Sequence, residues 1–112
     1  KVERIMEIGV DIVDLKRLNI HNRHFIERIL TPSERELFEQ KKTDQQKAEF
    51  LGGRFAAKEA YSKALGTGIG PISFQQIEVL NDELGKPYLN GVNAKISISH
   101  EKEYAVAFVV IL

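Results

Sequence analysis

The sequence of 112 residues contains no cysteine, which excludes disulfide bonds and thiolate chemistry. Acidic and basic side chains balance at 16 each, and this balance argues against a broad electrostatic surface for nucleic acid. No apolar run approaches the roughly 20 residues that a membrane span needs. No charged-then-apolar leader opens the chain. These absences predict one domain over residues 1–112 that is cytoplasmic and binds neither nucleic acid nor membrane.

Three familiar catalytic motifs are also missing. The three histidines lack the spacing of zinc ligands. No serine lies in a nucleophile elbow, and no Ser–His–Asp arrangement can be defended. The glycine-rich segment 66–70 follows a predicted helix and lacks the Gly-Lys-Ser/Thr ending of a Walker loop.

What is present predicts an α+β domain, with a mainly antiparallel sheet packed against one long helix and several short helices. Alternating or β-branched apolar residues predict strands at about Glu3–Asp11, Phe74–Leu80, Tyr88–Leu89, Lys95–Ser99 and Tyr104–Leu112. Helical spacing and capping residues predict short helices from Asp14 to Leu18, around Phe25–Leu30, and from the cap Thr31 to near Lys41.

The long helix is predicted to begin at Thr43 or Asp44 and to end at Leu65, with Gly66 as its stop. Its buried stripe is predicted to comprise Phe50, Leu51, Phe55, Ala57, Tyr61 and Leu65. Gly52 and Gly53 lie inside this helix, where each glycine costs about 1 kcal/mol relative to alanine. A close crossing by a strand or another helix would explain why they are tolerated.

Two acidic residues are candidates for chemistry, and each has an ordinary alternative. Asp11, predicted at the end of the first strand, is either a helix cap or a metal ligand. Glu59 is either a solvated surface acid or a second ligand. Carboxylates from separate elements can share Mg²⁺, which is typically held by one or two carboxylates together with substrate phosphates and water.

The residues that follow Glu59 suit an anion, although each also has a plain structural reading. Lys63, four residues after Glu59, is either an exposed partner of that acid or a cation that neutralises a transferring phosphate. The turn Gly66–Gly70 is either a simple connection or a source of backbone N–H groups for an anion. His100, at a predicted strand end, is structural, or donates to a phosphate, or shuttles a proton.

Taken together, the chain resembles the holo-[acyl-carrier-protein] synthases, the small bacterial type of 4′-phosphopantetheinyl transferase. The resemblance covers nearly the whole length and is carried by six segments in the family's order. They are Ile8–Val13, Phe25–Thr31, Arg54–Ala60 with Ser62–Ala64, Gly66–Gly70, Gly85–Pro87 and Ile98–His100.

The resemblance implies transfer of the phosphopantetheine arm of coenzyme A to a serine of an acyl carrier protein, in support of fatty acid biosynthesis. It implies that Asp11 and Glu59 bind Mg²⁺, and that Lys63 meets the diphosphate. The segments implied to wrap the nucleotide and its phosphates are Gly66, Thr67, Gly68, Gly85, Lys86, Pro87 and His100. Glu59 is the first choice for the base that takes the serine proton, and His100 is the second.

The resemblance also implies protein partners. Arg17 lies where the family grips its acidic carrier protein, with Arg23 and Arg28 as further candidates. Homotrimers with active sites shared between subunits are typical of the family. The chain departs from the family pattern at Leu84 and at Gln45-Gln46, which puts some nucleotide contacts in doubt. A non-catalytic module that binds carrier domains or nucleotides is the rival interpretation, and it would need Arg17 but not the two acids.

Overall fold

The computed structural model describes residues 6–112 and contains five strands and three α-helices. The strands are β1 (Glu7–Asp14), β2 (Val79–Asn81), β3 (Pro87–Leu89), β4 (Ala94–His100) and β5 (Tyr104–Ile111). The helices are α1 (Arg23–Ile29), α2 (Pro32–Glu39) and α3 (Asp44–Leu65), and short 3₁₀ turns lie at Leu15–Arg17 and Phe74–Gln76. The predicted α+β class and the long helix are confirmed.

The main sheet has three antiparallel strands in the order β1-β5-β4. The central strand β5 is paired with β1 on one edge and with β4 on the other. In this register Asp11 in β1 lies opposite Ala107 in β5. Strands β2 and β3 form a separate antiparallel pair. The sheet is antiparallel throughout its named strands, as the sequence predicted.

Helix α3 lies across the inner face of the main sheet, against β1 and β5. Thr43 begins it with a capping box to Gln46, and Gly66 ends it in the left-handed conformation at φ 83°. The close approach expected at Gly52-Gly53 is made by a side chain of β4 at Gly53 and by a side chain of the first 3₁₀ turn at Gly52. An added Cβ would lie 2.3 Å from the Leu15 side chain at Gly52 and 3.1 Å from Ile98 at Gly53.

Two apolar clusters form the core, and both include residues of α3. One joins the alanines of α3 to the inner faces of the sheets, including Val79 and Val109. The other joins α1 and α2 to the first half of α3 through Ile29, Leu30 and Phe38. The first helical pair is thereby fixed to the same long helix that carries Glu59 and Lys63.

Several predicted boundaries are wrong. The first strand ends at Asp14, so Asp11 lies inside β1 and not at its end, while the predicted start at Glu3 lies outside the described residues. Phe74–Gln76 is a 3₁₀ turn because the Gln76 side chain accepts from the Ser73 N–H at 2.8 Å. Helix α2, by contrast, ends at Glu39 with Gln40 as its cap, close to the predicted end near Lys41.

The buried face of α3 also differs from the predicted stripe. Phe50, Leu51 and Ala57 are buried, but Leu65 is 41% exposed. The charged residues Arg54 and Lys58 are buried in place of the expected apolar positions. Over residues 6–112, none of the helices combines the length and apolar character of a membrane span.

Candidate active site

The site is organised by a close crossing of β1 over α3. Gly9 in β1 touches the helix backbone so tightly that an added Cβ would lie 1.9 Å from the carbonyl oxygen of Ala60. Side chains two apart share one face of a strand, so Asp11 projects to the same side as Gly9. Glu59 directly precedes Ala60, and Lys63 lies about one helical turn beyond it. The crossing therefore brings both predicted acids and Lys63 to one place.

Lys63 bonds to β1 across this crossing. Its Nζ donates to Asp11 Oδ1 at 3.0 Å and to the carbonyl oxygen of Val10 at 3.1 Å. The Asp11 side chain is largely buried at 16% exposure, while that of Lys63 is half-exposed. In the part of the chain that the structure describes, Lys63 thus pairs with Asp11 and forms no ion pair with Glu59. The reading of Lys63 as the surface partner of Glu59 is wrong.

The pKa of Glu59 is affected by the nearby carboxylate of Asp11. Burial raises the pKa of Glu59 above its ordinary value, the negative charge of Asp11 raises it further, and Lys63 opposes both effects. A carboxylate whose neighbour is another carboxylate is stabilised by any cation that enters between them. This arrangement favours binding of a positive ion.

The donor set suits a hard divalent ion that a substrate helps to bind. Two carboxylates supply oxygen ligands of the kind that Mg²⁺ prefers. Within residues 6–112 no group of three or more His, Cys, Asp or Glu side chains converges. Asp11 and Glu59 therefore fit Mg²⁺ only if phosphate oxygens and water complete its coordination, as is usual for this ion.

The glycine turn after α3 uses its backbone differently from one expectation. The N–H groups of Thr67 and Gly68 both donate to the Ser62 carbonyl, at 3.2 and 3.1 Å, and that of Gly66 donates to Lys63 at 3.0 Å. These three donors end the helix, so the role of the turn at an anion stays a prediction. Two features of the turn still suit an anion. It lies just beyond Lys63, and its Thr67 side chain is exposed.

A second group of predicted residues lines a cavity of about 620 Å³ between α3, the β2–β3 turn and the end of β4. Gly85, Pro87 and His100 are among its walls, together with Lys41, Lys42 and Arg54. Lys86 lies in the same turn, but its side chain does not belong to the wall. None of the lining residues is Asp11, Glu59 or Lys63, so one chain presents two separate groups of candidate residues.

Arg54 is a charged residue of this cavity that the sequence did not predict as part of the site. Arg54 is 6% exposed, and its guanidinium stacks over the Phe50 ring at 4.1 Å. Its Nε has no hydrogen-bond partner within residues 6–112. Burial lowers its pKa to about 10, although the charge of Glu34 opposes the shift. A buried guanidinium with spare donors is suited to bind an anion.

Lys58 was also missed, and it has a structural role. Its Nζ donates to Glu34 Oε1 at 2.6 Å and to the carbonyls of Ile29 and Phe74 at 2.6 and 3.1 Å. Both charged side chains are completely buried. Four-residue spacing places Phe50, Arg54 and Lys58 on one face of α3, and this spacing was the available signal.

The predicted partner-binding arginines lie at the surface on neighbouring elements. Arg17 ends the first 3₁₀ turn, and Arg23 and Arg28 lie in the first and last turns of α1. Arg23 approaches Glu27 at 3.8 Å, whereas Arg17 and Arg28 form no ion pair within residues 6–112. Their charges are therefore available to a protein partner.

The outer face of β1 is apolar and exposed. Ile8, Val10 and Ile12 are each more than half exposed and alternate with the inward-facing Gly9 and Asp11. Phe108 of the adjacent strand β5, which lies opposite Val10, is 43% exposed. Contiguous apolar side chains on a sheet surface are typical of a protein–protein interface.

The sequence profile of the 4′-phosphopantetheinyl transferase superfamily matches residues 7–109. A holo-[acyl-carrier-protein] synthase of a Geobacillus species (strain WCH70) is 50% identical, with 96% of each chain covered. That of Geobacillus kaustophilus is 54% identical over 96% of this chain and 88% of the relative.

A solved structure of high similarity agrees with these sequence relatives. It is a Bacillus anthracis holo-(acyl-carrier-protein) synthase in complex with CoA (3′,5′-ADP), with a TM-score of 0.85 and 52% identity. The match covers 93% of each chain.

Proposed function

The chain belongs to the 4′-phosphopantetheinyl transferase superfamily, and we propose that it acts as a holo-[acyl-carrier-protein] synthase. The reaction moves the 4′-phosphopantetheine group of coenzyme A to a serine of apo acyl carrier protein and releases adenosine 3′,5′-bisphosphate. The observation that carries this proposal is the convergence of Asp11, Glu59 and Lys63 at the crossing of β1 and α3. We propose that residues 1–112 form one domain that works in the cytoplasm, where fatty acid biosynthesis takes up its product. This location rests on the family alone.

The chemistry requires control of charge more than a nucleophile. The serine oxygen of the carrier protein attacks the phosphorus that bears the pantetheine arm, and the bond from that phosphorus to the bridging oxygen of the diphosphate breaks. Lys63, held at β1 by Asp11 and the Val10 carbonyl, supplies a cation for the diphosphate oxygens. The attacking group belongs to the partner, which agrees with the lack of a nucleophile motif in this chain.

Asp11 and Glu59 would hold Mg²⁺, which when bound polarises the phosphorus and neutralises charge on the leaving phosphate. Glu59 is the better placed of the two candidate bases. It lies at the crossing of β1 and α3 beside Asp11 and Lys63, where the diphosphate is proposed to bind. His100 lies in the separate cavity, 3.6 Å from Glu49 through Nδ1, and this position supports a role in binding.

The cavity beside His100 is the proposed place for the nucleotide end of coenzyme A. Lys41, Lys42 and Arg54 give it positive charge, and Gly85 and Pro87 of the β2–β3 turn form one wall. Gly66, Thr67 and Gly68, close to Lys63, remain proposed contacts of the diphosphate region. The structural relative bound to CoA (3′,5′-ADP) supports coenzyme A as the ligand.

Assembly into a homotrimer is part of the proposal. Its support is the exposed apolar face of β1 and the separation of the nucleotide cavity from the carboxylate pair on one chain. In a trimer the cavity of one subunit can serve the carboxylates of a neighbour. The exposed cations Arg17, Arg23 and Arg28 are proposed to attract the acidic carrier protein, and such contacts chiefly speed encounter.

The direct test is a transfer assay with purified protein, coenzyme A, Mg²⁺ and apo acyl carrier protein. Mass spectrometry should show the gain of one phosphopantetheine on the carrier serine, and chelation of divalent ions should stop it. Asp11→Asn and Glu59→Gln should each reduce the rate by at least about 100-fold. If both variants transfer phosphopantetheine as fast as the unaltered protein, the proposed site is refuted. If the unaltered protein gives no transfer, the proposed function is refuted.

A further inference from the structure

Asn81 connects two walls of the nucleotide cavity through a single side-chain amide. Its Oδ1 accepts a hydrogen bond from the guanidinium Nη2 of Arg54 at 2.5 Å, and its Nδ2 donates to the carbonyl oxygen of Gly85 at 2.9 Å. Arg54 offers only donors and a carbonyl offers only an acceptor, so the two partners determine the orientation of the amide. The amide thus joins helix α3 to the β2–β3 turn.

Arg54 needs such a restraint because few other contacts fix its guanidinium. Phe50 supports one face of the group, and Nε has no partner within the described chain. No carboxylate of residues 6–112 forms an ion pair with it. The acceptor of Asn81 is neutral, so it orients the guanidinium without forming an ion pair with it.

The turn that receives the other hydrogen bond is already ordered within itself. Asp82 Oδ1 accepts from the backbone N–H groups of Leu84 and Lys86, each at 2.9 Å, and the Gly85 N–H donates to the Asp82 carbonyl at 2.9 Å. Gly85 has φ 87°, which favours glycine. Asp82 therefore orders the turn from within, whereas Asn81 adds a hydrogen bond from the hairpin to Arg54 of α3.

We propose that Asn81 is a positioning residue for coenzyme A. It holds the Arg54 guanidinium and the Gly85–Pro87 turn at a fixed separation, so that the cavity between them is formed before a phosphate group of coenzyme A enters. This inference rests on the proposed function. Preorganisation of this kind lowers the cost of binding and does not act on the chemical step.

The test is a comparison of Asn81→Ala and Asn81→Asp with the unaltered protein and with Asn90→Ala. Asn90 is the matched control: it is exposed, lies at the far end of β3 and donates to Glu78 at 3.0 Å, away from the cavity. Calorimetry gives the Kd for coenzyme A without carrier protein, and the transfer assay gives KM and kcat. Thermal unfolding confirms that each variant is folded.

Asn81→Ala should weaken coenzyme A binding about fivefold to tenfold, because the Arg54 side chain must then be ordered when the ligand binds. Its kcat at saturating coenzyme A should stay within about twofold of the unaltered protein, since preorganisation acts on binding. Asn81→Asp should weaken binding further, because its carboxylate neutralises Arg54 and repels the Gly85 carbonyl. Asn90→Ala should bind like the unaltered protein.

A second ligand tests whether Asn81 acts on the binding of a phosphate group in the cavity. Dephospho-coenzyme A, which lacks the 3′-phosphate, should lose less affinity on the Asn81 changes than coenzyme A does. The proposal is overturned if both Asn81 variants bind coenzyme A within twofold of the unaltered protein, or if kcat falls while Kd is unchanged. If Asn81→Ala does not fold, Asn81→Asp decides. Failure of the unaltered protein to bind coenzyme A would instead refute the proposed function.

Discussion

Replacement of Gly9 by alanine should disable the enzyme, because it forces β1 and α3 apart where the site forms. The new Cβ would lie 1.9 Å from Ala60 O and 2.9 Å from Ala64 N, whereas ordinary contact begins at 3.4 Å. These are backbone atoms inside a long helix, so no side-chain rotation relieves the overlap. Relief requires a local separation of about 1.5 Å, the difference between 1.9 and 3.4 Å.

That separation acts on both stability and chemistry. Overpacking of this kind costs about 1–3 kcal/mol in free energy of unfolding. The same shift moves Glu59 and Lys63, on either side of Ala60, away from Asp11. Since misplacement of catalytic groups by about 1 Å can cost 100-fold in rate, we expect kcat to fall by at least that factor.

The assay is the rate of mass gain on the carrier protein, with thermal unfolding measured on the same samples. Gly53→Ala is the control for stability: its Cβ would meet only a methyl group of Ile98, at 3.1 Å, which is able to move. We expect this control to change the free energy of unfolding by less than about 1 kcal/mol, because alanine is the better helix former. A Gly9→Ala enzyme with the unaltered rate and melting temperature would refute the importance of the crossing.

Three further changes test other parts of the structure. Lys58→Ala should lower the free energy of unfolding in urea by about 3–5 kcal/mol, because it leaves Glu34 charged and buried without its partner. The double variant Lys58→Met with Glu34→Gln should lose less free energy of unfolding than Lys58→Ala. Equal losses in the two variants would contradict the pairing. Arg17→Glu should raise KM for the carrier protein, with an effect that shrinks as salt is added, and a salt-independent effect would count against electrostatic attraction. If the chain forms the proposed homotrimer through the exposed face of β1, Ile8→Lys should shift it to smaller species in analytical ultracentrifugation, and an unchanged mass would remove this face from the proposed contact.

The elements that local chemistry determines were predictable. The caps Thr31 and Thr43 and the stop at Gly66 all have the expected geometry, because each acts on neighbouring backbone groups. The strand predicted to begin at Phe74 failed for a related reason. There the Gln76 side chain bonds to the Ser73 N–H and favours a tight turn over an extended chain, despite apolar residues nearby.

The site was predictable in its members but not in its contacts. Asp11 and Glu59 were paired through the family resemblance, and only the fold shows that Lys63 bridges to Asp11. Gly9 was the sequence signal for the crossing, since glycine inside a strand often marks a close approach of another backbone. Arg54 and Lys58 escaped notice because charged residues are seldom buried, and their partners lie far away in the chain.

Binding of Mn²⁺, used as a spectroscopic probe in place of Mg²⁺, tests most directly whether the two acids form one metal site. Electron paramagnetic resonance with coenzyme A present should show tight binding to the unaltered protein. Asp11→Asn and Glu59→Gln should each remove that binding while the variants remain folded. Retention of the bound signal by both variants would contradict a shared metal site at the crossing of β1 and α3.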